Sequence, residues 1–222
     1  MKKVRLLIVL LGLLALVISA LMVPFIVLNL RTIKINSDYS HLSSEYDYKE
    51  KVEVTGLNLV TQHISCGYAT IEMLSDFYST KVTEDDLSAK NNGKISTQST
   101  GGFLKEINDS IKNKTFVSKK YLTNDEYLKE IYKSLKNNNP VAIEWAAKYE
   151  GEWTLHFSIV TMLDIRGDKV TVYNPYGYIE NLSISEFINR TTFIAYENMP
   201  LFLKFGFAFN AFHKNTLFIV NE

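Results

Sequence analysis

One cysteine, Cys66, and four histidines, His41, His63, His156 and His213, are the residues whose types could support nucleophilic chemistry. A lone cysteine with histidine elsewhere in the chain is one pattern left by cysteine nucleophiles. Such a nucleophile needs a base within hydrogen-bond reach, a group that orients the base, and donors for a developing oxyanion. Cys66 stands where a polar segment gives way to a helical pattern. Ala69, Met73 and Phe77 share one spacing, and Thr70, Leu74 and Tyr78 run beside them, so one face is apolar. The cysteine therefore sits at a helix N-terminus, where free backbone N–H groups favour thiolate over thiol. Taken alone it reads first as a small buried hydrophobe, the usual fate of a free cysteine.

The other chemistry-bearing residues narrow the choice of partner. His41 falls in a polar stretch, His63 is too close along the chain to face Cys66 freely, and His213 lies in a Phe-rich tail. His156 opens an apolar strand after Trp153, where an imidazole can be held against another element, although a structural histidine fits the same pattern. Asn174 ends the following strand and can accept a hydrogen bond from the ring, fixing its tautomer. Gln62 precedes Cys66 by four residues, and its amide can point into the same cleft as the Cys66 N–H. Two such donors form an oxyanion hole, worth about 3 kcal/mol per donor.

The elements that must position these residues follow from pattern. Thr83 with Asp86, Thr123 with Glu126 and Ser183 with Glu186 each spell a helix start. A further helix begins at Thr100-Gly101-Gly102 with Phe103, Ile107 and Ile111 on one face, and Pro140 stops the helix that carries Leu128, Ile131 and Leu135. Strands are expected over residues 116–122, 141–147, 153–165 and 169–173, with turns at 148–152, 166–168 and 174–178. Helices first and hairpin strands later indicate an α+β fold. Arg166-Gly167-Asp168 spells an adhesion tripeptide, which a tight hairpin turn explains without a partner.

Composition excludes several classes. With 24 basic and 24 acidic residues the net charge is zero, which argues against a nucleic-acid binder. One cysteine allows no internal disulfide and no zinc site built on two thiolates, and no cofactor or metal is expected. Residues 6–28 carry no charge and can cross a hydrocarbon core of about 30 Å as a helix. A cleaved signal peptide is the rival, but its apolar core is usually only about 7–15 residues. Lys2, Lys3 and Arg5 in front predict a cytoplasmic N-terminus and an extracellular domain, with Arg31 and Lys34 on the far side weighing against it. The domains so read are an anchor over residues 1–31, a polar tether over 32–58, in which Val52, Val54 and Leu57 hint at a short strand, and a folded domain over 59–222. In the tail Leu201, Leu203, Phe205, Phe207 and Phe209 alternate, which reads as a strand over the core or an aromatic patch on the membrane surface, followed by a strand at 217–220.

Four blocks in order carry a family resemblance: QHISCGYATIEMLSDFYSTKVTEDDL, GKISTQSTGGFLKEIND, NNNPVAIEW and LHFSIVTMLDIRGDKVTVYNPYGYIENLSISEFINR. Over residues 61–190 the chain resembles the bacteriocin-processing, double-glycine-leader cysteine peptidases of the papain-like group. The resemblance implies a papain-like fold, Cys66 as nucleophile, His156 as general base, Gln62 as oxyanion donor and a peptide substrate. Asn174 occupies the place of the family's usual aspartate. Hydrolysis, acyl transfer to an amine, and a degenerate peptidase fold used as a binding module all remain open. For an exported domain, a membrane-impermeant thiol reagent applied to intact cells and unfolded in place should label Cys66; protection from it would put the domain in the cytoplasm.

Overall fold

The computed structural model describes residues 2–30, 37–45, 48–193, 199–208 and 212–221. Arg31, Lys34, Phe209 and Asn210 lie outside them, as does the side chain of Phe205. The chain begins with α1 (Lys2–Leu30), whose stretch Val4–Val23 has a mean hydropathy of 3.1 and is not buried by the rest of the protein. It is long and apolar enough to cross a membrane, a test that a signal sequence also passes.

The folded part is α+β. Its helices come first: α2 (Cys66–Phe77), α3 (Glu84–Lys90), α4 (Thr100–Ser110) and α5 (Asn124–Lys136). Ser65, Thr83, Ser99 and Thr123 cap them, each side chain accepting the backbone N–H three residues on. The sheet consists of β1 (Val52–Glu53), β2 (Phe116–Lys119), β3 (Val141–Tyr149), β4 (Glu152–Asp164), β5 (Lys169–Asn174), β6 (Tyr178–Leu182) and β7 (Thr216–Val220), with α6 (Ile184–Thr191) and α7 (Leu201–Ala208) following β6. Its order is β2-β7-β3-β4-β5-β6, β1 pairs with β4, and every pairing is antiparallel. Strand β6 is an element that the hydrophobic pattern did not announce.

Alternation along the strands divides the core in two. Val141, Ile143, Trp145 and Ala147 of β3 face α5 and α6, meeting Leu128, Ile131, Phe187 and Ile188. Ala142 of β3, Phe157 and Ile159 of β4 and Phe218 of β7 face the other way, against Tyr68, Met73 and Leu74 of α2 and Phe103 and Ile107 of α4. The nucleophile helix thus lies on the opposite side of the sheet from α5 and α6. At the β3–β4 hairpin both Glu150 and Gly151 have positive φ, 49° and 92°, so the turn twists with its strands and fixes the register that pairs Trp145 with His156. The Arg166-Gly167-Asp168 turn is held from within: Gly167 N–H donates to Asp164, and Asp168 accepts the N–H of Ile184.

Two expectations are corrected. The stretch read as a tether is folded from residue 37 on. Tyr39, Leu42, Tyr48, Val52 and Val54 are buried in the core beside α5, and Val54 N–H donates to Thr161 O at 2.8 Å. Tyr39, Leu42 and Tyr48 are too widely spaced to show a period, whereas the hint of a short strand at Val52 and Val54 corresponds to β1. The tail is a helix, α7, not a strand. Leu203 and Phe207 are two steps of an alternation and also i and i+4 of a helix, so a short Phe/Leu run cannot distinguish the periods. The final strand, β7, does form, inserted between β2 and β3.

Leu42 is fully buried. Leu42→Ala should cost about 2–4 kcal/mol in denaturant unfolding, as a core truncation does; a tether residue would cost nothing measurable.

Candidate active site

Three backbone N–H groups just before the nucleophile helix converge on one carboxylate. Glu84, at the start of α3 and fully buried, accepts from His63 at 3.1 Å, Ile64 at 3.0 Å and Ser65 at 2.9 Å. This clamp sets the path of the chain into Cys66, the first residue of α2. Gly67 follows because nothing larger fits: a Cβ there would lie 2.2 Å from Thr97 Oγ1 and 2.5 Å from Thr97 Cβ. The 94–99 loop can therefore lie directly on the first turn of α2, where Tyr68 Oη donates to Lys94 O and accepts from the N–H of Ser96.

His156 is buried on β4 and its ring stacks on Tyr176, centroids 4.0 Å apart. Its Nε2 lies 2.9 Å from Asn174 Oδ1. Fixed partners settle the orientation of that amide. Asn174 Oδ1 accepts the backbone N–H of Tyr176 at 2.9 Å, and Nδ2 donates to Glu180 Oε1 at 2.8 Å. An oxygen that faces His156 can only accept, so Nε2 carries the ring proton and Nδ1 keeps a free lone pair. Glu180 is held in turn by Arg190, whose Nη1 lies 2.5 Å from Oε2 while its Nε donates to Ala146 O at 2.7 Å. The Arg190 guanidinium stacks over Trp145, 3.6 Å from the ring centre.

Cys66 is half-buried, and its thiol meets the backbone N–H of Phe157, the residue after His156. Gln62 is tied to the same corner, since its N–H donates to Pro175 O at 2.7 Å in the turn after Asn174. Its Oε1 is buried without a hydrogen-bond partner among the described residues. Gln62, through Pro175, and Cys66, through the Phe157 N–H, thus lie beside the strand and turn that carry His156 and Asn174. Among the described contacts none joins the Cys66 thiol to the His156 ring, which shares the sheet face of its β3 partner Trp145. The other histidines are elsewhere: His41 pairs with Asp125, His63 with Glu84 and Asp85, and His213 with Tyr121.

The charge state of the pair departs from the expectation at the helix N-terminus. Burial pushes the Cys66 thiol up, more than the N–H groups of Phe157, Gly67 and Cys66 itself bring it down. Burial likewise lowers His156 to about 3, opposed by the Asn174 hydrogen bond and reinforced by the charge of Arg190. Both shifts favour the uncharged forms, because taking either charge out of water costs more than its neighbours return.

Sequence reasoning missed Glu84, Glu144, Tyr176, Glu180 and Arg190. A charged residue on an otherwise apolar helix face, Arg190 beside Phe187, was the one legible sign. Glu144 is a buried carboxyl on the α2 side of β3, receiving the Thr100 hydroxyl at 2.9 Å, and its charge acts to raise Cys66. No three histidine, cysteine or carboxylate side chains among the described residues group as metal ligands.

The chain belongs to the Peptidase_C39 like family, whose profile it matches over residues 30–199. Among solved structures it is similar to a double glycine motif protease from an AMS/PCAT transporter in complex with the leader peptide, at 12% identity and a TM-score of 0.47, covering 76% of this chain and 96% of that one. It is similar too to the peptidase domain of Streptococcus ComA, a bi-functional ABC transporter involved in a quorum-sensing pathway, at 12% identity and a TM-score of 0.48, covering 74% and 98%. No curated protein matches the chain.

Burial raises Glu144 to about 7, against 4.5 for an ordinary glutamate. The fold therefore favours its protonated form, and stability contributed below the unfolded pKa is lost as pH rises from 4.5 to about 7. Glu144→Gln keeps the acceptor for Thr100. Its advantage over the wild type should be absent at pH 4, grow through that window and level off near pH 8 at about 1–3 kcal/mol, read from unfolding curves at each pH.

Proposed function

We propose that this protein is a membrane-anchored cysteine peptidase in which Cys66 attacks a peptide carbonyl. The observation that carries the reading is the fixed amide of Asn174. It leaves His156 Nδ1 as the free base, on a strand whose next N–H meets the Cys66 thiol.

In this reaction His156 Nδ1 takes the thiol proton as Sγ bonds to the carbonyl carbon. The carbonyl oxygen becomes an oxyanion, met by the Gln62 side-chain N–H and the Cys66 backbone N–H. His156, now an imidazolium, gives the proton to the leaving amine as the C–N bond breaks, and a thioester remains. Water, deprotonated by the same nitrogen, hydrolyses it; an amine in its place would complete acyl transfer. Because both shifts favour the uncharged forms, the proton moves in concert with attack instead of being stored in an ion pair. Asn174 Oδ1 keeps the ring in register and strengthens its hydrogen bond when the ring is charged. Residues 6–30 hold the domain at the membrane as a single-pass anchor, with the domain on the extracellular side and a peptide as its substrate.

A second reading has its own observation. His156 is only 1% exposed and resists protonation, as in a peptidase fold kept as a binding module for peptide export, sensing or immunity. A peptidyl chloromethyl ketone separates the two. At pH 7 the wild type should be alkylated at Cys66 roughly 100-fold faster than His156→Ala, the usual contribution of a general base, followed by intact-protein mass. Equal rates in the two proteins, matching a free thiol, would leave the binding module.

A further inference from the structure

Cys66 opens into a cleft of about 570 Å³ whose walls are mostly apolar. On the β4 side these are Trp153, Leu155 and Phe157, and the far wall is α7, through Phe202 and Leu203. Helix α7 lies after the family match, which ends at residue 199. It is seated by Leu203 and Phe207 on Phe193 and Met199. The Phe212 ring closes over Gly206, where a Cβ would lie 2.1 Å from it. Leu201 and Phe202 are left 61% and 67% exposed, unusual for large apolar side chains in water. The same helix rests against α1.

We infer that the cleft takes a peptide with large apolar side chains beside the attacked bond, presented at the membrane surface. The inference rests on the peptidase reading and on α1 as an anchor. Its basis is that α7 belongs to both places at once: one part of its surface walls the nucleophile's cleft and another meets the helix that enters the bilayer. If α1 spans the membrane, Leu201 and Phe202 lie at its surface, where their exposure costs little. A chain leaving the bilayer reaches Cys66 past Phe202 without crossing open water. The volume suits two large side chains, within the usual range of about 300–1,000 Å³ for binding clefts.

The test uses the full chain in vesicles of phosphatidylcholine and phosphatidylglycerol, with chloromethyl ketones carrying either Phe-Leu or Gly-Ser next to the reactive group, each with and without an N-palmitoyl chain. Alkylation of Cys66 is followed by mass. On the wild type the Phe-Leu probe should react at least tenfold faster than the Gly-Ser probe. Palmitoylation should speed the Phe-Leu probe at least tenfold further in vesicles but not in detergent. Phe202→Asp, at an exposed position that folding does not need, should lower the Phe-Leu preference at least tenfold, while Leu201→Asp, outside the cleft wall, keeps it. Equal rates for the two sequences, or a preference that Phe202→Asp leaves intact, would overturn the apolar cleft. No gain from palmitoylation would overturn delivery from the membrane. Alkylation unaffected by His156→Ala would overturn the peptidase reading and this inference together, whereas the first two failures leave that reading standing.

Discussion

The amide of Asn174 joins two groups of different character: a buried imidazole and the partly exposed carboxylate of Glu180. Its oxygen faces His156 and the Tyr176 N–H, and its nitrogen faces Glu180. An aspartate there would set a second negative charge against Glu180, at a point where the low dielectric magnifies repulsion. The amide instead donates to Glu180, and Arg190 neutralises that carboxylate from the other side. Asn174, which stands where the family resemblance sets an aspartate, is thus an amide that bridges the ring and the carboxylate.

Around the pair, burial decides the chemistry more than the helix terminus does. The backbone N–H groups at the start of α2 do favour the thiolate, but they are outweighed by loss of water, with Glu144 adding to the same effect. A thiol raised by burial in this way resists oxidation and stray alkylation. The Glu84 clamp and the contact of Gly67 with Thr97 fix the approach of the chain to Cys66.

Local chemistry made much of the molecule legible in the sequence. Ser183 with Glu186, Thr83 with Asp86 and Thr123 with Glu126 announced helices that exist, and the hairpins around Gly151 and Asp168 fell where turn residues put them. Cys66 and Asn174 could be placed as well, because each sits at the end of an element whose limits are set by neighbours in the chain. Residues 37–48 and 201–208 were misread for one reason. Their apolar side chains are few or evenly alternating, so only the surface that receives them decides whether they float, extend or coil.

By itself, then, the sequence determined most of the elements from α2 to α6 and the identity of the groups able to react, since caps, turns and periods act over a few residues. Only the tertiary structure decided what those groups are. It chose Glu180 and Arg190 as the support for Asn174, gave Glu84 to three backbone donors, removed water so that burial disfavours the charged forms of Cys66 and His156, and set α7 between the cleft and α1. Each of these depends on segments far apart in the chain meeting in a low-dielectric interior, and no local pattern encodes such a meeting.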